Sequence, residues 1–321
     1  MKLHLSQAGA PEKEAFSRRH ILYAALILLT AVLVIEAGKI GLHLILANKQ
    51  VAPEAQTFPA APGGLEATPW LEIIPLFESA APGAEWVSGH GVSYLVRTDS
   101  ASILLDLGNS GERGAPAPYL VNMQALGIDP AEIDALVISH PHPDHVGGNA
   151  AWFGRTLALG GLSGLPVYTP IAMKKAQDTW THSSQPVLVH PQVGTTGVIP
   201  YLETFPMVLF DAKGSEQALV VAVEGQGLVL ITGCGHPGLE RLVERAELLY
   251  GQPVVGVVGG LHYLQSTADE LQAQIEFLAK REPGLVALSP HDSGSQAIEA
   301  FRAAFPEVYQ PVEVGRMIRF Q

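Results

Sequence analysis

Residues 137–148, VISHPHPDHVGG, place His140, His142, Asp144 and His145 within six positions behind an apolar run. Imidazole and carboxylate side chains suit zinc, iron or manganese. Alternate residues of an extended segment point the same way, so His140 and His142 can reach one cation together. Asp144 and His145 fall past the strand end, where the chain turns, and can face a second cation beside it. Two cations ~3.5–4 Å apart can bind both a nucleophile and the oxygen on which charge develops. A hydrolytic site of this kind keeps a coordination position open for water or substrate. A polar surface loop with coincidental histidines is the bland alternative. Four ligand-type residues between a buried strand and Gly147–Gly148 count against it.

Further ligand-type residues fall at the ends of other apolar runs. LLDLG (104–108) carries Asp106, ITGCGHPG (231–238) carries Cys234 and His236, VVGGLHYL (257–264) carries His262, and LSPHDSG (288–294) carries His291. Each taken singly is an ordinary structural residue. Strand ends of one sheet lie close together, so these distant positions can meet.

The elements that must position them alternate along the chain. Residues 70–77, 92–98, 102–108, 133–139 and 165–169 read as strands, and 117–127 as a helix ended by Gly127. A further helix is expected over 171–178, and a hairpin over 218–233 turning at Gly225–Gly227. Strands over 253–260 and 284–290 then alternate with helices over 239–251, 269–281 and 296–305. This order predicts two mixed sheets packed face to face with helices outside.

The chain has 321 residues, 47% of them hydrophobic, so a sizeable core is available. A net charge of −12 argues against a nucleic-acid binder, which needs a basic face. Cys234 is the single cysteine, so no intrachain disulfide forms. Residues 1–20 form a basic flank with Lys13, Arg18 and Arg19, expected on the cytoplasmic side. The segment 21–46 opens with the apolar run ILYAALILLTAVLVI and reads as a signal anchor, a transmembrane helix or an export segment. SRRHIL (17–22) resembles a twin-arginine export signal. The Pro- and Ala-rich stretch 47–69 reads as a linker, and 70–321 as the catalytic domain. The expected location is membrane-anchored or exported, with that domain extracytoplasmic.

Taken in order, the motifs resemble the metallo-β-lactamase superfamily, whose signature is His-x-His-x-Asp-His. Within it, the sequence resembles metal-dependent hydrolases that include the 7,8-dihydropterin-type synthases of methanopterin biosynthesis. HGVS (90–93), DLG (106–108), the histidine run, GCGH (233–236), GGLH (259–262) and PHDSG (290–294) carry the likeness across about residues 70–321. The resemblance implies an α+β fold, a four-layer αββα sandwich, here preceded by an N-terminal hydrophobic helix. It implies that His140, His142 and His236 hold a first metal, and that Asp144, His145 and His291 hold a second. Cys234 is either a further metal ligand or a small buried residue behind the site. Asp106 is expected to fix the metal-binding loop by hydrogen bonding. The sequence departs from the subgroup pattern at Asp292 and Ser293, where Cys and Thr are usual, and at Gly235, where Ser is usual. A paired-acid segment is reduced to Glu216 and Gln217, and Asp292 offers an added carboxylate.

The combined expectation is a metal-dependent hydrolase of a small molecule, using a metal-activated water on an ester, amide or phosphoester. Asp144 orients the water and receives its proton, and His262 is a second catalytic residue. The cofactors are two divalent ions, zinc first, with iron or manganese as alternatives. No nucleic-acid partner is expected, and a membrane is engaged through the N-terminal segment. The alternatives are a dihydropterin-type synthase or lyase and, from another class, a non-catalytic metal-containing binder or sensor.

Overall fold

The structure, a computed structural model, describes residues 18–51, 62–110, 116–174, 179–204 and 207–321. Lys13 and residues 52–61 of the expected linker lie outside the described residues, while 47–51 continue a helix. The chain divides into two units, residues 1–54 with 202–212, and residues 55–201 with 213–321.

In the first unit, α1 (Arg18–Val51) is a 34-residue helix. Leu22, Leu26, Ile27, Leu29, Leu33 and Ile35 are among its exposed apolar side chains. Within the helix the Thr30 hydroxyl donates to the Leu26 carbonyl at 2.9 Å, and Lys39 Nζ lies 2.7 Å from Glu36 Oε1. Among the described residues no helix is long and apolar enough to cross a membrane, so the expectation of a transmembrane span is not supported.

The second unit contains two seven-stranded sheets. In spatial order the first runs β16 (Ile318–Phe320), β2 (Leu71–Phe77), β3 (Ser93–Arg97), β4 (Ser102–Leu105), β5 (Ala135–Val137), β6 (Val167–Thr169), β7 (Trp180–His182). The second runs β15 (Leu285–Leu288), β14 (Val254–Gly259), β13 (Gly227–Thr232), β12 (Leu219–Val223), β9 (Val193–Thr195), β8 (Leu188–His190). β1 (Ala67–Thr68), inside the stretch expected as linker, pairs parallel with β12. A separate two-stranded sheet joins β10 (Ile199–Leu202) to β11 (Lys213–Glu216).

Strand alternation builds the layers. Tyr94, Val96, Ile103, Leu105, Ala135 and Val137 of the first sheet share one core with Leu219, Val221, Val229, Ile231 and Val258 of the second. The opposite face of the second sheet, Val220, Ala222, Leu228 and Leu230, packs on α5 (Leu239–Tyr250), α6 (Ala268–Ala279) and α7 (Ser295–Ala304). The opposite face of the first, Leu95, Leu104 and Leu136, is covered by Tyr119 and Met123 of α2 (Pro118–Leu126). Two sheets with helices on both outer faces are the expected αββα arrangement. Both faces of strands β3 to β5, β12, β13 and β15 are buried, which explains their nearly continuous apolar runs.

Two expectations need correction. The strand over 102–108 stops at Leu105, because Asp106 adopts a φ of 61° that ends the pleat. Residues 171–174 are not helical, while 175–178 lie outside the described residues. β4 and β5 run parallel, as do β13, β14 and β15. Their carboxyl ends therefore emerge at one edge of each sheet, carrying Asp106, the histidine run, Cys234, His236, His262 and His291, and the amino end of β3, antiparallel to β4, brings HGVS to the same edge.

Candidate metal centre

β5 delivers Ser139, His140 and His142, and then the single turn α3 (Pro143–Val146) delivers Asp144 and His145. Asp106 organises this segment. Its Oδ1 accepts the Ser139 amide at 2.7 Å, and its Oδ2 accepts the Ser139 hydroxyl at 2.6 Å and lies 2.7 Å from His145 Nδ1. A left-handed backbone at a non-glycine residue is costly, and here it aims a buried carboxylate at both groups. The expected loop-fixing contact of Asp106 is present in this geometry. Gly233 lines the same contact, since a Cβ there would collide with the Ser139 hydroxyl.

Because the Ser139 hydroxyl donates to Asp106, it accepts from His140 Nδ1, 2.9 Å away. The proton of His140 is thereby placed on Nδ1 and its Nε2 carries a lone pair. That Nε2 is buried and has no hydrogen-bond partner among the described residues. Burial, reinforced by His145, His142 and His236, holds the His140 pKa well below the ordinary value, so the ring is neutral. A buried, neutral, unpartnered imidazole nitrogen is costly unless it binds something.

The partners are in place. Ligand atoms of His140, His142 and His236 all lie within 4.8 Å of one another. His236 Nδ1 is held 2.8 Å from Glu216 Oε2, which orients its other nitrogen as a ligand. Glu216 is fully buried and also accepts the amides of Cys234, Gly235 and His236 at 3.2, 2.8 and 2.9 Å. Burial raises its carboxyl pKa, and these donors outweigh that and hold it below the usual value. Tyr201 stacks on His236 with centroids 4.5 Å apart, and its hydroxyl lies 3.5 Å from His142 Nε2.

Asp144 occupies the second position. Its Oδ2 is 3.0 Å from His291 Nε2, 3.2 Å from His90 Nε2 and 3.9 Å from His145 Nε2. Burial pushes its pKa up, and His145, His291 and His90 outweigh it, so Asp144 is ionised. The expected trio of Asp144, His145 and His291 is thus drawn together, with His90 nearer the carboxylate than His145. Ligand atoms of His140, His145 and Cys234 form another group within 4.8 Å, as do those of Cys234, His236 and Asp292. Cys234 Sγ lies 3.1 Å from His145 Nε2. Burial, with Asp292, Asp144 and Glu216 adding to it, pushes the thiol pKa well up, so the metal-free thiol keeps its proton. Against burial, Asp106 and Asp144 raise His145 to about 9.

His262 has a φ of 53°, and its Nδ1 lies 2.7 Å from Asp292 Oδ2, with its ring 4.5 Å from that of His236. The added carboxylate at Asp292 therefore holds His262. His291 is anchored by Glu78, a fully buried acid whose Oε1 accepts the His291 amide at 2.8 Å. Glu78 Oε2 takes the hydroxyls of Tyr94 and Ser289 at 2.7 and 2.6 Å.

Sequence reasoning missed the parts played by His90, Glu78, Glu216, Ser139 and Tyr201. His90 was visible in HGVS and Glu216 in the shortened acid segment. Glu78 and Tyr201 carry no local signal. The donor set of imidazoles, a carboxylate and one thiol fits zinc and its neighbours among the divalent metals.

Residues 87–203 match the metallo-beta-lactamase superfamily. The chain is 26% identical, over 78% of its length and 97% of the relative's, to 7,8-dihydropterin-6-methyl-4-(beta-D-ribofuranosyl)-aminobenzene-5'-phosphate synthase of Methanocaldococcus jannaschii. Its fold resembles that of a metal-dependent hydrolase of the beta-lactamase superfamily, with a TM-score of 0.58 and 23% identity, over 77% of this chain and 98% of the other. It also resembles the metallo-beta-lactamase fold protein YhfI from Bacillus subtilis, with a TM-score of 0.50 and 13% identity, over 79% of this chain and 100% of the other. The histidine run within the matched residues, the paired sheets and the ligand groups at their edge agree with this likeness: residues 87–203 match the metallo-beta-lactamase superfamily, and the fold is that of its solved members.

Proposed function

We propose that the protein is a metal-dependent hydrolase acting on an ester, amide or phosphoester of a small molecule. The observation that carries this reading is the buried, unpartnered His140 Nε2 facing His142 and His236, with the ionised Asp144 beside them. Two divalent cations bound there would supply an activated water and stabilise charge developing on the substrate oxygen. The chain's own residues do the rest. Asp144 orients the water and takes up its proton. His262, held by Asp292, would contact the substrate or hold a ligand in place. Glu216, Asp106 and Ser139 keep three imidazoles in the tautomer that presents a ligand nitrogen. The test is metal analysis of the purified protein, then turnover of a panel of phosphoesters, lactones and thioesters. Hydrolysis lost in both His140→Ala and Asp144→Asn supports the reading, and a fully metallated protein inert on the whole panel sinks it.

The 26% identity to the dihydropterin-type synthase, nearly along that relative's whole length, favours a second reading, a synthase or lyase on a pterin. Incubation with phosphorylated pterins, followed by absorbance, separates the two.

The proposal extends to location. Bare apolar side chains on α1 support attachment to a membrane surface, and the Arg18–Arg19 flank supports an exported catalytic domain outside the cytoplasm. A reporter fused at Gln321 that is active only in the cytoplasm would contradict that side, and release by carbonate wash would contradict attachment.

A further inference from the structure

We propose that His90 is a metal ligand, and that His90, Asp144 and His291 together form the second cation position. The inference rests on the metal-dependent reading above. His90 Nε2 and His291 Nε2 stand 3.2 and 3.0 Å from one oxygen, Asp144 Oδ2, and ligand atoms of all three residues lie within 4.8 Å. The His90 and His291 rings meet edge-on with centroids 4.2 Å apart. His145 is farther from that oxygen, at 3.9 Å, and its Nε2 instead lies 3.1 Å from Cys234 Sγ. The nearest completion of the Asp144–His291 pair is therefore His90.

An exposed histidine meets a carboxylate by chance often enough, and the His90 side chain is 70% exposed. The backbone around it argues otherwise. Before His90, the buried Asn122 accepts the Val87 amide through Oδ1 at 3.0 Å and donates Nδ2 to the Val87 and Leu76 carbonyls, each at 2.7 Å. The Gly89 amide donates to the Glu78 carbonyl at 3.0 Å. After it, the Gly91 amide donates to His291 Nδ1 at 3.0 Å, a contact of the metal-free ring that a cation on Nε2 would replace. Gly91 has a φ of 126°, and a Cβ there would collide with the Asp144 carbonyl. The chain after His90 is thus locked directly onto the other two members of the group, and the chain before it onto Asn122 and Glu78, the acid that anchors His291.

The three residues arrive from separate loops, before β3, after β5 and after β15. A cation held by them would tie the two sheets together at the open edge. Two imidazoles and a carboxylate suit zinc, iron or manganese.

The test uses the full chain loaded with zinc or cobalt, and needs no substrate. Metal per chain is measured by elemental analysis after dialysis, affinity by chelator competition, and cobalt ligation by its visible spectrum. Wild type should hold two ions and His90→Ala one. The second ion should bind more than about 100-fold weaker, beyond the usual effect of a residue behind a ligand. Far-UV circular dichroism of His90→Ala should match wild type, since the side chain is exposed. His142→Ala should lose the other ion and retain this one. Two ions bound to His90→Ala with wild-type affinity and an unchanged cobalt spectrum would overturn the assignment while leaving the hydrolase reading intact. A wild-type protein that binds no divalent metal would overturn both.

Discussion

Glu216→Gln replaces a buried carboxylate by an amide of the same shape, and the structure sets its cost. Glu216 accepts four N–H groups, two on each oxygen: Cys234 and Gly235 amides on Oε1, the His236 amide and ring Nδ1 on Oε2. Glutamine keeps one oxygen and turns an NH2 group toward two donors. An NH2 group facing the Cys234 and Gly235 amides leaves two buried donors unmatched at ~1–3 kcal/mol each, a loss of ~2–6 kcal/mol, and one facing His236 leaves its backbone amide unmatched, a loss of ~1–3 kcal/mol. Domains of this kind have ~5–15 kcal/mol in total. If the NH2 group faces His236, it donates to Nδ1 and forces the ring proton onto Nε2, where a metal must bind. Metal affinity should then fall by ~10–100-fold as well. Urea unfolding of the metal-free protein gives the first quantity and chelator competition the second. A stability change below ~0.5 kcal/mol, the range of an ordinary surface substitution, together with unchanged metal affinity would refute the role given to Glu216.

Other substitutions probe the centre and its frame. His142→Ala should remove the first ion and His291→Ala the second, by metal analysis, whereas His182→Ala and His190→Ala should leave both; a metal-free His190→Ala would reveal a missed ligand. Gly91→Ala should destabilise by ~1–3 kcal/mol in urea titration, because its left-handed backbone and the Asp144 carbonyl leave no room for a Cβ. The metal-free protein should be most stable near pH 6.5. The His145 contribution is complete below its unfolded pKa of about 6.5 and is lost as pH rises through its folded value of about 9. The His140 contribution, from a depressed pKa, is complete above about 6.5 and is lost as pH falls. Urea midpoints that rise steadily from pH 6.5 to 9 would contradict this. Residues 65–321 should melt cooperatively without α1, because Leu65 already packs on the helix-covered face of the second sheet.

The sequence by itself determined the elements and the family likeness. Apolar runs of strand length marked β2 to β5 and β12 to β15, and amphipathic spacing marked α5, α6 and α7, because both signals are local and rest on burial. The histidine run announced metal chemistry for the same reason, its residues being neighbours in one segment. Short strands such as β1 and β7 to β11 escaped notice, since two to four residues make no period and their pairing comes from partners far along the chain. The tertiary structure alone decided which ligand-type residues converge, which tautomer each histidine holds, and which buried acids stand behind them. Glu78 meets His291 across 213 positions and Gly91 meets it across 200, contacts that only the packing of one sheet edge against the other creates. The grouping of His90 with Asp144 depends on the same approach of distant loops. Spacing along a chain states what a segment can do; distance between segments is set by the core they share.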